Sequence, residues 1–194
     1  IAHDNNVNSN DKALVYDSFV TMVLKEVQEK TGLDPYNDGL TIETTIDSKA
    51  QQRLYDIVNT NDYIQYVNDK IQNAVVMLDT KTGAVRAVNG GRKQTTLLGY
   101  NRATDNSRST GSSIKPVIDY GPAIEYLNYS TGQTIMDQRT TYSNGVELNN
   151  WDFSHKGAMT LRTALVYSRN TTALQTFKAV GETNIKSFLN NLDI

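Results

Sequence analysis

The sequence predicts an α+β protein, in which helices and short antiparallel strands share one chain. Apolar residues recur at helical spacing over 15–27 and form a single stripe. Two β-rich runs, 74–78 and 84–88, flank a polar turn that contains glycine, which is a strong hairpin signal. Helical patterns return over 160–192. We therefore expect both kinds of regular structure, with at least one pair of strands joined locally.

Composition narrows the classes of function. The 194 residues include 19 Lys+Arg, 21 Asp+Glu and no cysteine. The formal net charge is therefore −2, without the excess of basic residues that nucleic-acid-binding proteins carry, so nucleic-acid binding is not expected. The lack of cysteine excludes disulfides, Cys-ligated zinc and thiol catalysis, and the two histidines leave little room for a His-rich metal site. The longest apolar run, 74–78, is far too short to span a membrane.

The first part of the chain predicts a small helix–strand–helix module over 11–70. Residues 1–10 are polar and are expected to form a flexible segment. A helix begins at Asp11 and ends before Gly32 and Pro35.

Alternation over 40–46 then predicts a strand with one buried face. Asp47 or Ser48 can cap the helix that follows, whose apolar positions are Ala50, Leu54, Ile57 and Val58.

After the hairpin, residues 92–111 are polar and rich in Gly, Ser and Thr, so they are expected to be irregular. A helix begins near Ser112, and Gly121–Pro122 is a candidate break in it. Residues 129–158 are expected to be rich in loops, with a turn at Asn144–Gly145. The final helical patterns cover 160–167, 171–180 and 183–192.

The strongest candidate for a catalytic motif is Gly111-Ser112-Ser113-Ile114-Lys115-Pro116. Residues three apart lie on one helix face, so Ser112 Oγ and Lys115 Nζ can meet. A serine hydroxyl needs an adjacent base, and a lysine whose pKa is lowered can supply it. A helix N-terminus beside Ser112 also suits a developing oxyanion. The alternative is an N-cap serine beside a surface lysine, which is our interpretation of the second match, Ser9–Lys12.

A second motif, Ser168-Arg169-Asn170, follows at a predicted junction between two helices. Serine, lysine, a second serine and an amide can together form a proton relay with an anchor for a substrate amide. The alternative for Ser168 and Asn170 is a cap between the helices. The occurrence of both motifs in this order, after a hairpin and an irregular loop, favours the functional interpretation.

With these motifs, the sequence resembles the penicillin-binding transpeptidases, and in particular the class A, bifunctional members of Gram-positive bacteria. The likeness is carried by residues 44–47 with Gln51, 74–91, 101–103, 111–116, 150–152 and 168–170. It implies the penicillin-binding transpeptidase/serine β-lactamase-like fold, an antiparallel sheet with helices on both faces plus a helical subdomain. Only part of that fold would be present, with 11–70 as an inter-domain linker and 71–194 as the N-terminal part of the transpeptidase domain.

The resemblance also implies roles for individual residues. Ser112 would be the acylated nucleophile, and its N–H would supply half of the oxyanion hole. Lys115 would accept the proton of Ser112, and Ser168 would pass it to the leaving group. Asn170 would hold the substrate amide, and Trp151 would border the cleft, with a rim or core aromatic as the alternative for Trp151.

The sequence departs from the family signature in two ways. Arg169 stands where Ser-Asp-Asn has aspartate, which argues against a class A β-lactamase. Lys81-Thr82-Gly83 spells the third motif but precedes the nucleophile, so we predict that it is only a hairpin turn. The functional third motif is expected beyond Ile194. The chain is therefore expected to be a fragment, without the upstream glycosyltransferase and membrane anchor.

The implied reaction cross-links peptidoglycan stem peptides that end in D-Ala-D-Ala, or hydrolyses them as a carboxypeptidase, without metal or cofactor. β-Lactam antibiotics would acylate Ser112. The remaining partners would be the rest of the same polypeptide, possibly as a separate chain, and a membrane contacted only through the missing anchor, on the extracytoplasmic, cell-wall side. Two alternatives remain open here: a non-catalytic penicillin-binding sensor or scaffold, and a bacterial surface adhesin module.

Overall fold

The computed structural model describes residues 9–194, which divide into two compact units: one ends at Ser107 and the other is Arg108–Ile194. Residues 1–8, most of the predicted flexible segment, lie outside the described residues. The α+β class is confirmed, because α-helices and three two-stranded antiparallel sheets occur together in the described chain.

The first unit begins with two helices, α1 (Ser9–Thr31) and α2 (Ser48–Asn59). Helix α1 starts two residues before the predicted Asp11 and ends, as predicted, before Gly32, whose φ is +71°. The predicted cap of α2 is confirmed, since the Asp47 side chain accepts hydrogen bonds from the N–H groups of Lys49 and Ala50.

The predicted hairpin is confirmed as β1 (Val75–Leu78) paired antiparallel with β2 (Val85–Asn89). Lys81-Thr82-Gly83 lies in its turn, as predicted. The Asp79 carboxylate accepts hydrogen bonds from the N–H groups of Lys81 and Thr82, which lower its pKa to about 2. Gly83 has a φ of +72°, a conformation that glycine adopts without strain.

The predicted strand at 40–46 is wrong, because the described chain forms no strand ladder there. The segment reaches β2 through one backbone bond, from Asp47 N–H to Arg86 O at 2.9 Å. The other contacts use side chains: Thr45 Oγ1 donates to Val85 O, and the Arg86 guanidinium donates to Thr45 O. A ladder requires repeated backbone pairs, which polar side chains replace in this segment.

Gln51 binds the outer edge of β2 in place of a neighbouring strand. Its Oε1 accepts from Val88 N–H at 2.8 Å, and its Nε2 donates to Val88 O at 2.9 Å and to Val15 O at 2.7 Å. The Gln51 side chain is thereby hydrogen-bonded to both α1 and β2. Leu54, Val58 and Ala87 form the adjacent apolar core.

The second unit begins with one continuous helical run of three types. A 3₁₀ turn (Gly111–Ile114) leads into a π-helical segment (Pro116–Tyr120) and then into α3 (Gly121–Leu127). The helix is not broken at Gly121–Pro122, because Pro122 lies in the first turn of α3. Gly121 N–H donates to Pro116 O, and a Cβ at position 121 would lie 2.7 Å from that oxygen, so glycine is required there.

Residues 129–158 hold more regular structure than predicted. The strands are β3 (Thr134–Asp137), β4 (Thr140–Thr141), β5 (Glu147–Leu148) and β6 (Gly157–Thr160), paired as β3–β6 and β4–β5. Strands of two to four residues are too short for alternation to reveal them. The predicted turn at Asn144–Gly145 is confirmed between β4 and β5, where Asn144 Oδ1 accepts from Val146 N–H.

Three helices complete the unit: α4 (Leu161–Val166), α5 (Asn170–Val180) and α6 (Glu182–Asn190). All three were predicted to within a few residues. Tyr120, Leu161 and Ala164 form one buried cluster, and Ala123, Val180 and Ile185 form another. These clusters fix the helical run that starts at Gly111 against α4, α5 and α6.

Candidate active site

Ser112 is the second residue of the 3₁₀ turn, and its side chain is exposed. Gly111 precedes it with a φ of +54°, a left-handed conformation that glycine adopts without strain at the start of the turn. In the part of the chain that the structure describes, the Ser112 hydroxyl has no hydrogen-bond partner. The hydroxyl at the start of this helical run is therefore free to meet a substrate.

Lys115 lies one turn later and is buried, with 7% of its surface exposed. Its Nζ donates to Ser168 O at 2.9 Å, to Ser168 Oγ at 3.2 Å and to Asn170 Oδ1 at 2.7 Å. An ammonium has three N–H donors, and each has an acceptor here. Ser168 reaches Nζ with two oxygens from a left-handed backbone conformation, with a φ of +50°.

Burial lowers the pKa of Lys115, and the nearby charge of Arg169 lowers it further, while the carboxylate of Asp119 opposes both. This direction favours a neutral amine, which is the form that can accept a proton. Asp119 is itself buried, and burial raises its pKa to about 7 against the opposing charge of Lys115. Sequence reasoning missed Asp119, although its position four residues after Lys115 on a predicted helix was a usable signal.

Ser112, Lys115, Asp119 and Asn170 share the wall of one cavity of about 690 Å³. Apolar side chains complete much of this wall, among them Ile118, Leu148, Leu174 and Phe177. The cavity thus combines a free hydroxyl, a partly desolvated amine and an amide with an apolar surface. Such a site can hold an acyl group beside a serine nucleophile.

The structure brings together four of the five residues predicted for the site and separates Trp151 from them. Lys115, Ser168 and Asn170 are joined by hydrogen bonds, and Ser112 shares a cavity with Lys115 and Asn170. Trp151 lies elsewhere, exposed on the wall of a second cavity of about 570 Å³, with its indole N–H donating to Tyr167 O. In the second Ser-x-x-Lys match, Lys12 is exposed on α1, in the first unit.

Arg169 has a defined place beneath the Ser168-Arg169-Asn170 motif. Its guanidinium is 1% exposed and forms ion pairs with Asp137 at 2.8 Å and Asp152 at 2.9 Å. Hydrogen bonds from Ser154 and Arg169 hold the pKa of Asp152 well below its usual range. Sequence reasoning noted Arg169 only as a departure from aspartate and missed both carboxylate partners.

Neither a metal centre nor a membrane-spanning helix is found among residues 9–194. No group of three or more His, Cys, Asp or Glu side chains there is arranged to hold a metal ion. No helix of this region combines the length and apolar character that crossing a bilayer requires.

A family model described as the penicillin binding protein transpeptidase domain matches residues 73–194. The chain belongs to this family. The transpeptidase-domain match begins just before β1 and includes every residue of the cavity that Ser112 lines.

Two curated relatives identify the branch of the family. The chain is 43% identical over 179 residues to penicillin-binding protein 1A/1B of Bacillus subtilis, covering 92% of this chain and 19% of that protein. It is 39% identical over 182 residues to penicillin-binding protein 1A of Streptococcus oralis, covering 92% of this chain and 29% of that protein. The predicted kinship with class A proteins of Gram-positive bacteria is confirmed, and the chain spans less than a third of these relatives.

The fold is shared with a solved member of the family. The penicillin-binding protein PonA1 from Mycobacterium tuberculosis matches with a TM-score of 0.69 and 25% identity, covering 89% of this chain and 44% of that one. PonA1 in complex with penicillin V matches with a TM-score of 0.66 and 24% identity, covering 89% and 45%, and supports the fold alone. The predicted transpeptidase fold is therefore confirmed, and the chain spans less than half of the PonA1 chain.

Proposed function

We propose that Ser112 of this transpeptidase domain is acylated by a stem peptide in the first step of peptidoglycan cross-linking. The observation that carries the proposal is the contact of Lys115 Nζ with both Ser168 and Asn170, one turn from Ser112. Family membership favours this function over an adhesin module.

The first step forms the acyl-enzyme. Loss of a proton from Lys115 frees a lone pair on Nζ, which then takes the proton of Ser112 as Oγ attacks the carbonyl between two terminal D-alanines. The carbonyl π electrons move onto oxygen, where N–H groups of the helix start stabilise the charge. On collapse the C–N bond breaks, and the departing D-alanine amine takes a proton through Ser168, which Lys115 replenishes.

The second step resolves the ester. An amine of a neighbouring stem peptide attacks the acyl carbonyl and loses a proton to Lys115 as the amide bond forms. The bond between the acyl carbon and Ser112 Oγ breaks, and Oγ takes that proton back from Lys115. Water in place of the amine gives a carboxypeptidase. A β-lactam ring opens at the same serine, and because its amine stays tethered the acyl-enzyme persists.

For the full-length protein we propose the bifunctional arrangement of class A proteins, with a glycosyltransferase and a membrane anchor that holds the domain at the cell-wall side. The remainder of the polypeptide would supply the third, Lys-Thr-Gly or Lys-Thr-Ser motif. In this reaction Asn170 would hold the amide of the stem peptide.

The experiment is labelling of the full-length protein with a fluorescent penicillin. We expect one adduct per chain, located at Ser112 and absent from Ser112→Ala. The matched control is Ser113→Ala, because Ser113 is the adjacent exposed serine and its Oγ donates to Thr110 O. An unlabelled wild-type protein, or an adduct that survives Ser112→Ala, would contradict the proposal.

A second measurement separates the enzyme from the sensor or scaffold alternative. The acyl-enzyme formed from a D-Ala-D-Ala peptide is chased with an amine acceptor. We expect the peptidyl group to move to the amine. An acyl-enzyme that forms and then persists would identify the sensor or scaffold instead.

A further inference from the structure

Helix α5 begins at the amide of the candidate site, and its start is capped by a residue distant in sequence. The first N–H groups of a helix have no partner within it, and Arg169 at the N-cap position makes no capping hydrogen bond with its side chain. Asn150 Oδ1 fills this place, accepting from Asn170 N–H at 2.7 Å and from Thr171 N–H at 3.3 Å. The cap comes from the loop that follows β5.

The Asn150 side chain is itself fixed in one orientation. It is 1% exposed, and its Nδ2 donates to Asp137 Oδ1 at 2.8 Å and to Ser154 O at 2.9 Å. Donors surround its oxygen and acceptors surround its nitrogen, so a flipped amide would lose all four contacts.

Asp137 joins this cap to the ion pairs below it. One of its oxygens accepts from Asn150 and from Thr171 Oγ1, and the other from Lys156 N–H and from Arg169 Nε. Burial alone would raise the pKa of Asp137, but these hydrogen bonds and the Arg169 charge bring it below its usual value. The carboxylate therefore stays ionised beneath the motif.

The two asparagines of the loop act on opposite ends of Asn170. Asn150 holds its backbone N–H, while the backbone carbonyl of Asn149 accepts from its Nδ2 at 2.9 Å. With the amide nitrogen held, Asn170 Oδ1 faces Lys115 Nζ.

We propose that Asn150 is a positioning residue of the acylation site, which with Asp137 and Arg169 holds Ser168 and Asn170 against Lys115. The proposal rests on the proposed function of Ser112. None of the three residues touches a reacting atom. Their effect is geometric, because a displacement of the Ser168–Asn170 segment would misplace all three acceptors of Lys115. Misplacement by about 1 Å can cost about a hundredfold in rate.

The experiment measures acylation of the full-length protein by a fluorescent penicillin, with the second-order rate constant and the final number of adducts per chain recorded separately. For Asn150→Ala we expect a rate constant lower by about tenfold or more, with close to one adduct per chain at the end. The matched control is Asn149→Ala, which removes an exposed amide and keeps the carbonyl that binds Asn170. It should acylate at the wild-type rate.

A merely structural role predicts something different: fewer adducts per chain and an unchanged rate constant in the folded fraction. That result, or a wild-type rate for Asn150→Ala, would overturn the inference. Wild-type and Ser112→Ala protein are run alongside. If the wild type is not acylated, or Ser112→Ala is, the proposed function has failed rather than the positioning role.

If Asn150→Ala does not fold, a second pair of variants, Thr171→Val and Thr176→Val, tests the positioning role. Thr171→Val removes the hydroxyl that binds Asp137 and keeps the side-chain shape. Thr176→Val makes the same change at a buried site on α5 whose hydroxyl binds only Thr172 O among the described residues. We expect acylation to slow by about threefold or more in Thr171→Val and to stay at the wild-type rate in Thr176→Val. Equal rates in the two variants would overturn the inference.

Discussion

Two opposing effects act on the charge of Lys115, whose Nζ donates hydrogen bonds to the Ser168–Asn170 segment. Its three N–H donors are matched to Ser168 O, Ser168 Oγ and Asn170 Oδ1, whereas its burial favours the neutral amine. These opposing effects bring the two protonation states closer in free energy than for a solvated lysine. A proton acceptor that must both take and return a proton benefits from this balance.

Asp119 provides a test of this electrostatic balance. The Asp119 carboxylate raises the pKa of Lys115, so Asp119→Asn should lower that pKa. The acid limb of penicillin acylation, where Lys115 becomes protonated, should then move to lower pH. Because burial raises the pKa of Asp119 to about 7, the difference between variant and wild type should be largest above about pH 7 and fade below it.

The measurement is the acylation rate constant of the full-length protein as a function of pH. Glu125→Gln, which neutralises an exposed carboxylate on α3, is the control and should leave the profile unchanged. An acid limb that stays in place, or moves to higher pH in Asp119→Asn, would contradict the coupling between the two side chains.

At the scale of the elements, the cap of α2 makes a prediction about stability. Asp47→Ala removes the acceptor of two backbone N–H groups at the start of the helix. The free energy of unfolding should fall by about 1 kcal/mol. Thermal or denaturant unfolding of the full-length protein measures it, with Asp62→Ala, at an exposed aspartate in the loop after α2, as the control. Equal stability of the two variants would show that the cap contributes nothing.

Local signals account for the elements that sequence predicted well. Asp47 before an apolar helix, glycine at position 83 between two β-rich runs, and Asn144–Gly145 all act over a few residues, and all three are confirmed. The interpretation of 40–46 as a strand failed for a non-local reason. Its alternation is real, but β2 meets that segment through Thr45 and Arg86 side chains. Pairing partners are set by tertiary structure, which alternation alone does not reveal.

The site shows the same division between local and distant information. Ser112 with Lys115, and Ser168 with Asn170, could be predicted because each pair lies within one short motif. The contact of Asp137 and Asn150 with the start of α5 could not, because the two residues come from β3 and from the loop after β5. Residues 150–152 contributed to the family resemblance, but the segment alone gives no sign that Asn150 caps a helix. The cap of a helix start is usually sought in the adjoining residues, and here it lies twenty residues upstream.

At the scale of the whole molecule, Gln51 connects the elements of the first unit. Gln51→Leu would keep the size of the side chain, leave Val88 N–H and Val88 O without their partner on the outer edge of β2, and remove the hydrogen bond to Val15 O in α1. We expect a loss of about 2 to 4 kcal/mol in the free energy of unfolding. Chemical denaturation of the full-length protein measures this loss.

The control for that prediction is Gln52→Leu, which changes an exposed neighbour on the same helix whose amide binds only Asp56 among the described residues. It should leave stability nearly unchanged. If Gln51→Leu were as stable as this control, the hydrogen bonds of Gln51 would not be what attaches β2 to α1 and α2.

The π-helical segment Pro116–Tyr120 has a consequence for how the domain can change in evolution. It sets the rotational phase between the turn that carries Ser112 and Lys115 and the core-facing residues of α3. Deleting one residue there would favour a regular α-helix and rotate the turn that carries Ser112 by about 100° relative to Ala123. A single-residue insertion or deletion in this segment thus cannot keep both the apolar core contacts of α3 and the direction of the Ser112 side chain.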